Sequence, residues 1–273
     1  MSYAEAIVLG IAQGLTEFLP ISSTAHLRIV PAFVGWPDPG AAFTAVVQLG
    51  TLAAVLIYFR RDLARIVVAW LAGLRSAERR RDFDSRMGWY LIIATVPIVI
   101  FGAAFSDSIE KGARNLYLIG STLIALGLVL LIADRIGSKR RPFESIRPPD
   151  GVIVGLAQAL ALIPGVSRSG ATISAGLFRG LDRQAAARFA FLLSIPAVLL
   201  SGLYELRHFL EGGHRAIGTP QLIVASSLAF VVGYISIAFL LRYLARHSLL
   251  PFVIYRVVLG AVVLGLTAAG TIH

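Results

Sequence analysis

Two polar strings interrupt an otherwise oily chain, and each carries residue types that do chemistry together. The first runs from Gln13 through Glu17, Pro20, Ser22, Ser23 and Thr24 to His26. Gln13 and Glu17 are four residues apart, so on a helix they project from one face, one turn apart. An amide and a carboxylate so placed can ligate a hard divalent cation, Mg²⁺ or Ca²⁺, through oxygen, and Glu17 can also act as a general base. The plain alternative is a hydrogen-bonded Gln–Glu pair. Pro20, Ser22, Ser23 and Thr24 are residues that end one helix and start the next while leaving hydroxyls and amides free. Ser23 or Ser22 is then a nucleophile activated by His26 or Glu17, a hydroxyl that orients phosphate together with Thr24, or simply a cap.

The second string runs from Pro164 to Thr172. Gly165 and Gly170 allow close backbone approach, while Ser167, Ser169 and Thr172 supply hydroxyls. A helix start here presents free N–H groups, and Arg168 adds a planar, permanent, bidentate cation. Together these describe a cradle for a phosphate oxyanion. A structural pairing of Arg168 with Glu17 is the bland reading.

The elements that must position these groups are transmembrane. Of the 273 residues 57% are hydrophobic and 15% charged, with a mean hydropathy of +0.78, against about 25% charged in an ordinary soluble domain. Apolar runs at residues 42–59, 88–105, 116–133, 221–241 and 252–269 approach the length that crosses a bilayer. The net charge of +10 lies in short loops, where membrane orientation accounts for it and nucleic acid is excluded as a partner. There is no cysteine, hence no disulfide, thiolate nucleophile or Cys-based metal site. Residues near the N-terminus include Glu5 and no basic cluster, so no cleavable signal is expected.

Arginine-rich stretches at 60–86 and 135–147 are expected as cytoplasmic loops, with the charge-balanced 106–114 loop outside. The alternation continues with a cytoplasmic turn around Arg179, Arg183 and Arg188, an external loop at 208–219, a cytoplasmic one at 242–247, and the C-terminus outside. That count requires 151–179 to enter and leave on one face as a re-entrant helix pair. The halves also echo one another: Gly10-Ile-Ala-Gln13 resembles Gly155-Leu-Ala-Gln158, Pro20 resembles Pro164, and Ala53-Ala-Val-Leu56 resembles Pro196-Ala-Val-Leu199. The expectation is an all-α polytopic membrane protein forming a single domain, residues 1–273. It would comprise two inverted-topology repeats, about 1–147 and about 148–273, each a re-entrant helix pair plus three transmembrane helices. Arg168, Glu17 and His26 inside such a segment mark a functional site.

Familiar phosphate motifs are missing. There is no Gly-x4-Gly-Lys-Ser/Thr loop, and Gly165-x-Ser167-x-Ser169 lacks the last glycine of a nucleophile elbow. A soluble-type lipid phosphatase pattern would need histidine six residues after Arg168, where Ser174 stands. The strings 13–26 and 164–172 instead resemble, over the whole chain, the bacterial undecaprenyl-diphosphate phosphatases of the bacitracin-resistance type. That resemblance implies hydrolysis of the C55 isoprenoid diphosphate to the monophosphate and phosphate, which recycles the lipid carrier of peptidoglycan and other envelope polymers and confers bacitracin resistance. It implies Glu17, His26 and Arg168 as the essential set, with Ser23 as a participant, in a multi-pass protein of the bacterial inner membrane whose site faces outward; two routes stay open, covalent attack by Ser23 or His26, or attack by a water that Glu17 or His26 activates. Gln13 departs from the glutamate of many relatives, which removes one anionic metal ligand. Partners are then the polyprenyl lipid substrate and surrounding membrane lipid; a homodimer is compatible with these motifs. A flippase or carrier of lipid phosphate is the rival, because inverted repeats with broken helices also build transporters. A carrier, however, needs phosphate binding without a base or nucleophile beside it.

Overall fold

The computed structural model describes residues 1–105, 114–211 and 218–272. Among them are eleven α-helices: α1 Tyr3–Phe18, α2 Ser23–Val34, α3 Gly40–Tyr58, α4 Arg60–Arg75, α5 Phe83–Ala104, α6 Leu116–Ile136, α7 Pro148–Ala159, α8 Arg168–Phe178, α9 Arg183–Glu211, α10 Thr219–Leu244 and α11 Leu250–Ala268. By length and apolarity α5, α6, α9, α10 and α11 can each cross a membrane, and α3 with α4 makes a sixth candidate bent by 74°. The chain is thus a polytopic all-α membrane protein. α1 and α2 meet at Pro20, α7 and α8 at Pro164-Gly165, and all four helices are too short to span.

One expected loop is mostly helix. Residues 60–86 are rich in arginine, yet Leu63, Ile66, Val67, Trp70, Leu71 and Leu74 recur among the charges at helical spacing, so α4 forms as an amphipathic helix. Ile66 and Gly73 are buried, the helix packs on α5, and Val67, Val68 and Leu71 stay exposed. Arg183 and Arg188 likewise belong to α9, which shortens the expected turn to residues 179–182. Residues 106–113 and 212–217, within the two loops expected to be external, lie outside the described residues.

The halves exchange contacts in matching fashion. α1 lies along α10 with Gly10 against Ala225, and α7 lies along α5 with Gly155 against Ala94. A Cβ on Gly10 would stand 2.5 Å from the Ala225 carbonyl oxygen, and one on Gly155 2.5 Å from that of Ala94. Between apolar helices in lipid, such close backbone approach replaces the missing hydrophobic drive. α3 packs on α9, and α6 on α11. Beneath the end of α1, Phe18, Phe59 and Phe191 form a buried aromatic cluster.

Ion pairs gather the two ends of the bundle. At one end buried Asp150 accepts from Arg141 at 2.6 and 3.2 Å, Arg179 Nε at 2.8 Å and the Arg147 N–H at 2.9 Å. Nearby, Asp134 takes Arg183 Nε at 2.5 Å and the Leu249 N–H at 3.1 Å, while Arg188 reaches Asp62 at 2.9 Å. The opposite end of α6 is tied by Asp38 to Arg28 and Arg114. Burial works against the ionised form of Asp150, but the bonds from Arg141, Arg179 and Arg147 outweigh it and hold the carboxyl below its usual range. This contribution is present above the unfolded carboxyl's value of about 3.9 and is lost as pH falls through the lower folded value. Asp150→Ala is expected to cost about 1–3 kcal/mol at neutral pH, since Arg141 and Arg179 lose their shared acceptor but keep access to water. Thermal melting in detergent should show this loss and a flatter acid limb than the parent protein.

Candidate active site

Each broken segment restarts its helix in the same unusual way. Ser22 caps α2 with φ +76° and Ser167 caps α8 with φ +70°. Their hydroxyls accept the Ala25 and Gly170 N–H groups at 3.4 and 3.1 Å. Positive φ in a residue with a Cβ costs about 1–3 kcal/mol and persists where surrounding structure imposes it, commonly at functional sites. The first α2 bond comes from the His26 N–H and the first α8 bond from the Ala171 N–H. The amides of Ser23, Thr24, Arg168 and Ser169 therefore sit ahead of both helix ladders as anion donors. Thr24 Oγ1 lies 3.2 Å from Ser22 Oγ, as Ser169 Oγ does from Ser167 Oγ.

Glu17, in the last turn of α1, is the hub. Its Oε2 accepts Gln13 Nε2 at 3.0 Å and Ser23 Oγ at 2.6 Å, while Oε1 accepts Arg168 Nη2 and Gln48 Nε2, the latter at 3.4 Å. Ser169 Oγ ties the segments further by donating to the Leu19 carbonyl at 3.1 Å. A carboxylate, a hydroxyl, a guanidinium and two helix starts thus converge at a largely buried point, a set able to serve as base, nucleophile and anion cradle.

Other expected site residues stand one step back. His26 is buried, with Nδ1 2.7 Å from the Ser22 carbonyl and Nε2 2.7 Å from the Tyr255 hydroxyl. A carbonyl only accepts, so Nδ1 carries the proton and Nε2 receives the Tyr255 O–H. Thr172 turns its hydroxyl to the Arg168 carbonyl at 2.7 Å, within its own helix. Gly165 has φ +85°, and a Cβ there would fall 2.1 Å from Thr122 Oγ1 and 2.8 Å from the Ile119 carbonyl oxygen. Its close approach is therefore to α6.

Residues 6–262 match the family model described as bacitracin resistance protein BacA. The chain belongs to this family. It is 56% identical over 272 residues to the undecaprenyl-diphosphatase of Nocardioides sp., covering 100% of this chain and 99% of that protein. The undecaprenyl-diphosphatase of Mycolicibacterium smegmatis is 55% identical over 275 residues, with the same coverage. That of Thermobifida fusca is 52% identical over 272 residues, covering 100% of this chain and 92% of the relative.

Three side chains outside the two motifs also touch this cluster: Gln48 of α3, and Tyr255 and Arg256 of α11. Arg256 is fully buried. Its signal was available, because a lone arginine inside an apolar span marks function by default. Tyr255 and Gln48 carry no comparable sign, being ordinary residues of apolar helices. The cap geometry has its own test. Ser167→Ala keeps the positive φ and loses the cap, which is expected to cost about 1 kcal/mol, whereas Ser167→Gly relieves the backbone and should melt nearer the parent. The reverse order in detergent melting would contradict the geometry.

Proposed function

We propose that this protein hydrolyses undecaprenyl diphosphate to undecaprenyl phosphate and phosphate. The observation that carries the reading is the Glu17 hub, where Ser23 donates to one carboxylate oxygen and Arg168 to the other. Full-length similarity to proteins named for this activity supplies the substrate. Ser23 Oγ attacks the terminal phosphorus as its proton passes to Glu17. Arg168 and the amides at the two helix starts hold the phosphate oxygens, and the polyprenyl phosphate leaves. Glu17 passes that proton to the departing polyprenyl phosphate, then takes one from the attacking water and returns it to Ser23 Oγ as phosphate leaves. Phosphoryl transfer gains most from such positioning and charge stabilisation. His26, with both ring nitrogens engaged, holds the Ser22 cap rather than Ser23.

Mg²⁺ or Ca²⁺ fits the donor set beside this hub, because Gln13 Oε1 is buried, lacks a hydrogen-bond partner and adjoins the Glu17 carboxylate. Among the described residues no cluster of three or more His, Asp or Glu forms a metal cage, so the diphosphate and water would complete the shell. A bound cation would neutralise diphosphate charge.

The two halves are read as inverted repeats, supported by the matching contacts of α1 with α10 and α7 with α5. The site opens to the external face of the bacterial cytoplasmic membrane. Support comes from depth: Thr122, which bonds the Pro164 carbonyl, lies about 9 Å along α6 from Leu116 and about 21 Å from Ile136. The Ile136 end adjoins the arginine-rich linker and is therefore the cytoplasmic one. A flippase would need the anion cradle alone, and the 2.6 Å Ser23–Glu17 bond favours chemistry.

Purified protein is expected to release phosphate from C55 diphosphate, with Glu17→Gln, Ser23→Ala and Arg168→Ala each falling about 10²-fold or more. Chelator should abolish the rate and Mg²⁺ or Ca²⁺ restore it. Near-parental rates in all three variants would contradict the assignment. Direct attack by water would replace the covalent route if Ser23→Ala alone stayed active. The chain lacks cysteine, so single cysteines report sidedness: Asn115→Cys should label from outside and Glu78→Cys only from the cytoplasmic face.

A further inference from the structure

Non-helical backbone in a membrane protein leaves carbonyls that water cannot reach, and each must find a donor inside the protein. Both broken segments meet this problem around one side chain. Arg256 projects from α11 and donates Nη1 to the Pro20 carbonyl of the first segment at 3.1 Å. Its Nη2 donates to the Gly165 and Val166 carbonyls of the second, both at 3.1 Å. Nε reaches the Leu123 carbonyl of α6 at 3.2 Å, so the guanidinium spans three elements. Among the described residues no carboxylate pairs with it. Nη1 also lies against the first turn of α8, where a Cβ on Gly170 would fall 2.8 Å from it.

Lysine could not do this. Its ammonium is a single point carrying three donors, whereas the guanidinium is a rigid planar fork that meets acceptors on two sides at once. The fork fixes how far the Pro20 carbonyl lies from the Gly165-Val166 turn. Glu17 and Ser23 flank the first of these and Arg168 follows the second, so that separation sets how Arg168 meets Glu17. α6 makes a lesser version of the same bond, Thr122 Oγ1 to the Pro164 carbonyl at 2.6 Å. The trans peptide after Val166 points its N–H opposite its carbonyl, so a cation on the Val166 oxygen also polarises the Ser167 amide outward.

We propose that Arg256 is a positioning residue of the reaction, a brace that holds the two broken segments at the spacing in which Glu17, Ser23 and Arg168 form one site. It touches no phosphate and works through the backbone. The inference rests on the site assignment above, and Glu17→Gln and Arg168→Ala serve as its reference in the same assay. If those two variants stay active, the site assignment fails. If they are inactive while Arg256 variants match the parent, only the brace fails.

The test compares Arg256→Lys and Arg256→Ala with the parent by detergent melting and by kcat and KM for phosphate release from C55 diphosphate. A small displacement of reacting groups costs about 10²-fold in rate, so kcat should fall about that much in Arg256→Lys while KM moves by less than about threefold. Millimolar guanidinium, filling the cavity left in Arg256→Ala, should restore a measurable part of kcat and leave the parent unchanged. A residue that only stabilised the fold would lower the melting temperature and the active fraction, with kcat per folded molecule intact and no response to guanidinium. That result overturns the proposal. If neither Arg256 variant folds, Thr122→Val decides: a lowered kcat with a folded protein supports the brace, and an unchanged kcat overturns it.

Discussion

The arrangement depends on one partly buried ion pair, Glu17 with Arg168, which joins residues 151 positions apart in the chain. Charges removed from water are tolerable only when paired and further hydrogen-bonded. Glu17 accordingly accepts from Gln13, Ser23, Gln48 and Arg168. To bring a carboxylate from the end of α1 to an arginine at the start of α8, both helices must stop or start in the interior. That forces two stretches of irregular backbone into the protein. Their carbonyls then need donors, which Ser169 supplies for Leu19, Thr122 for Pro164, and Arg256 for Pro20, Gly165 and Val166. The small residues Gly10 and Gly155 go with this arrangement, because they let the short inner helices approach the backbones of α10 and α5 closely.

Much of this was legible in the sequence because the site is written in contiguous strings. Polar residues between Pro and Gly breaks, inside apolar surroundings, have few structural explanations, so Gln13, Glu17, Ser23 and Arg168 stood out before any geometry. The long helices were equally visible from their apolar runs. What escaped had its signal averaged away. α11 has a mean hydropathy of 2.0 over its window, and that average conceals the single Arg256 on its inner face. α4 failed in the opposite sense, since its arginines masked an apolar row that repeats every three or four residues.

His26 illustrates a different limit. Its sequence neighbours are hydroxyls, yet its ring nitrogens meet the Ser22 carbonyl and the Tyr255 hydroxyl. On a helix, however, the residue four positions earlier lies beneath it, and that residue's carbonyl is the nearest acceptor for Nδ1. The cap at Ser22 presents that carbonyl with its positive φ, and α11 closes the other nitrogen with Tyr255. Neither the cap's dihedral nor the partner 229 residues away could be read from the motif.

The halves are most instructive where they differ. Ser22 and Ser167 lie 145 positions apart and share one cap geometry. At the same offset Ser23 corresponds to Arg168, each the first residue of its helix, and the two donate to opposite oxygens of the same carboxylate. Glu17 itself corresponds to Leu162, and Gln158, the counterpart of Gln13, is buried with neither polar atom bonded. Equivalent places at the two helix starts thus hold a hydroxyl in one half and a cation in the other, with a single carboxylate between them. A symmetric pair of arginines would bind anions twice, and a symmetric pair of serines would hold none firmly. Phosphoryl transfer is served by positioning and charge stabilisation, and the two matched helix starts present a hydroxyl and a cation to the same carboxylate.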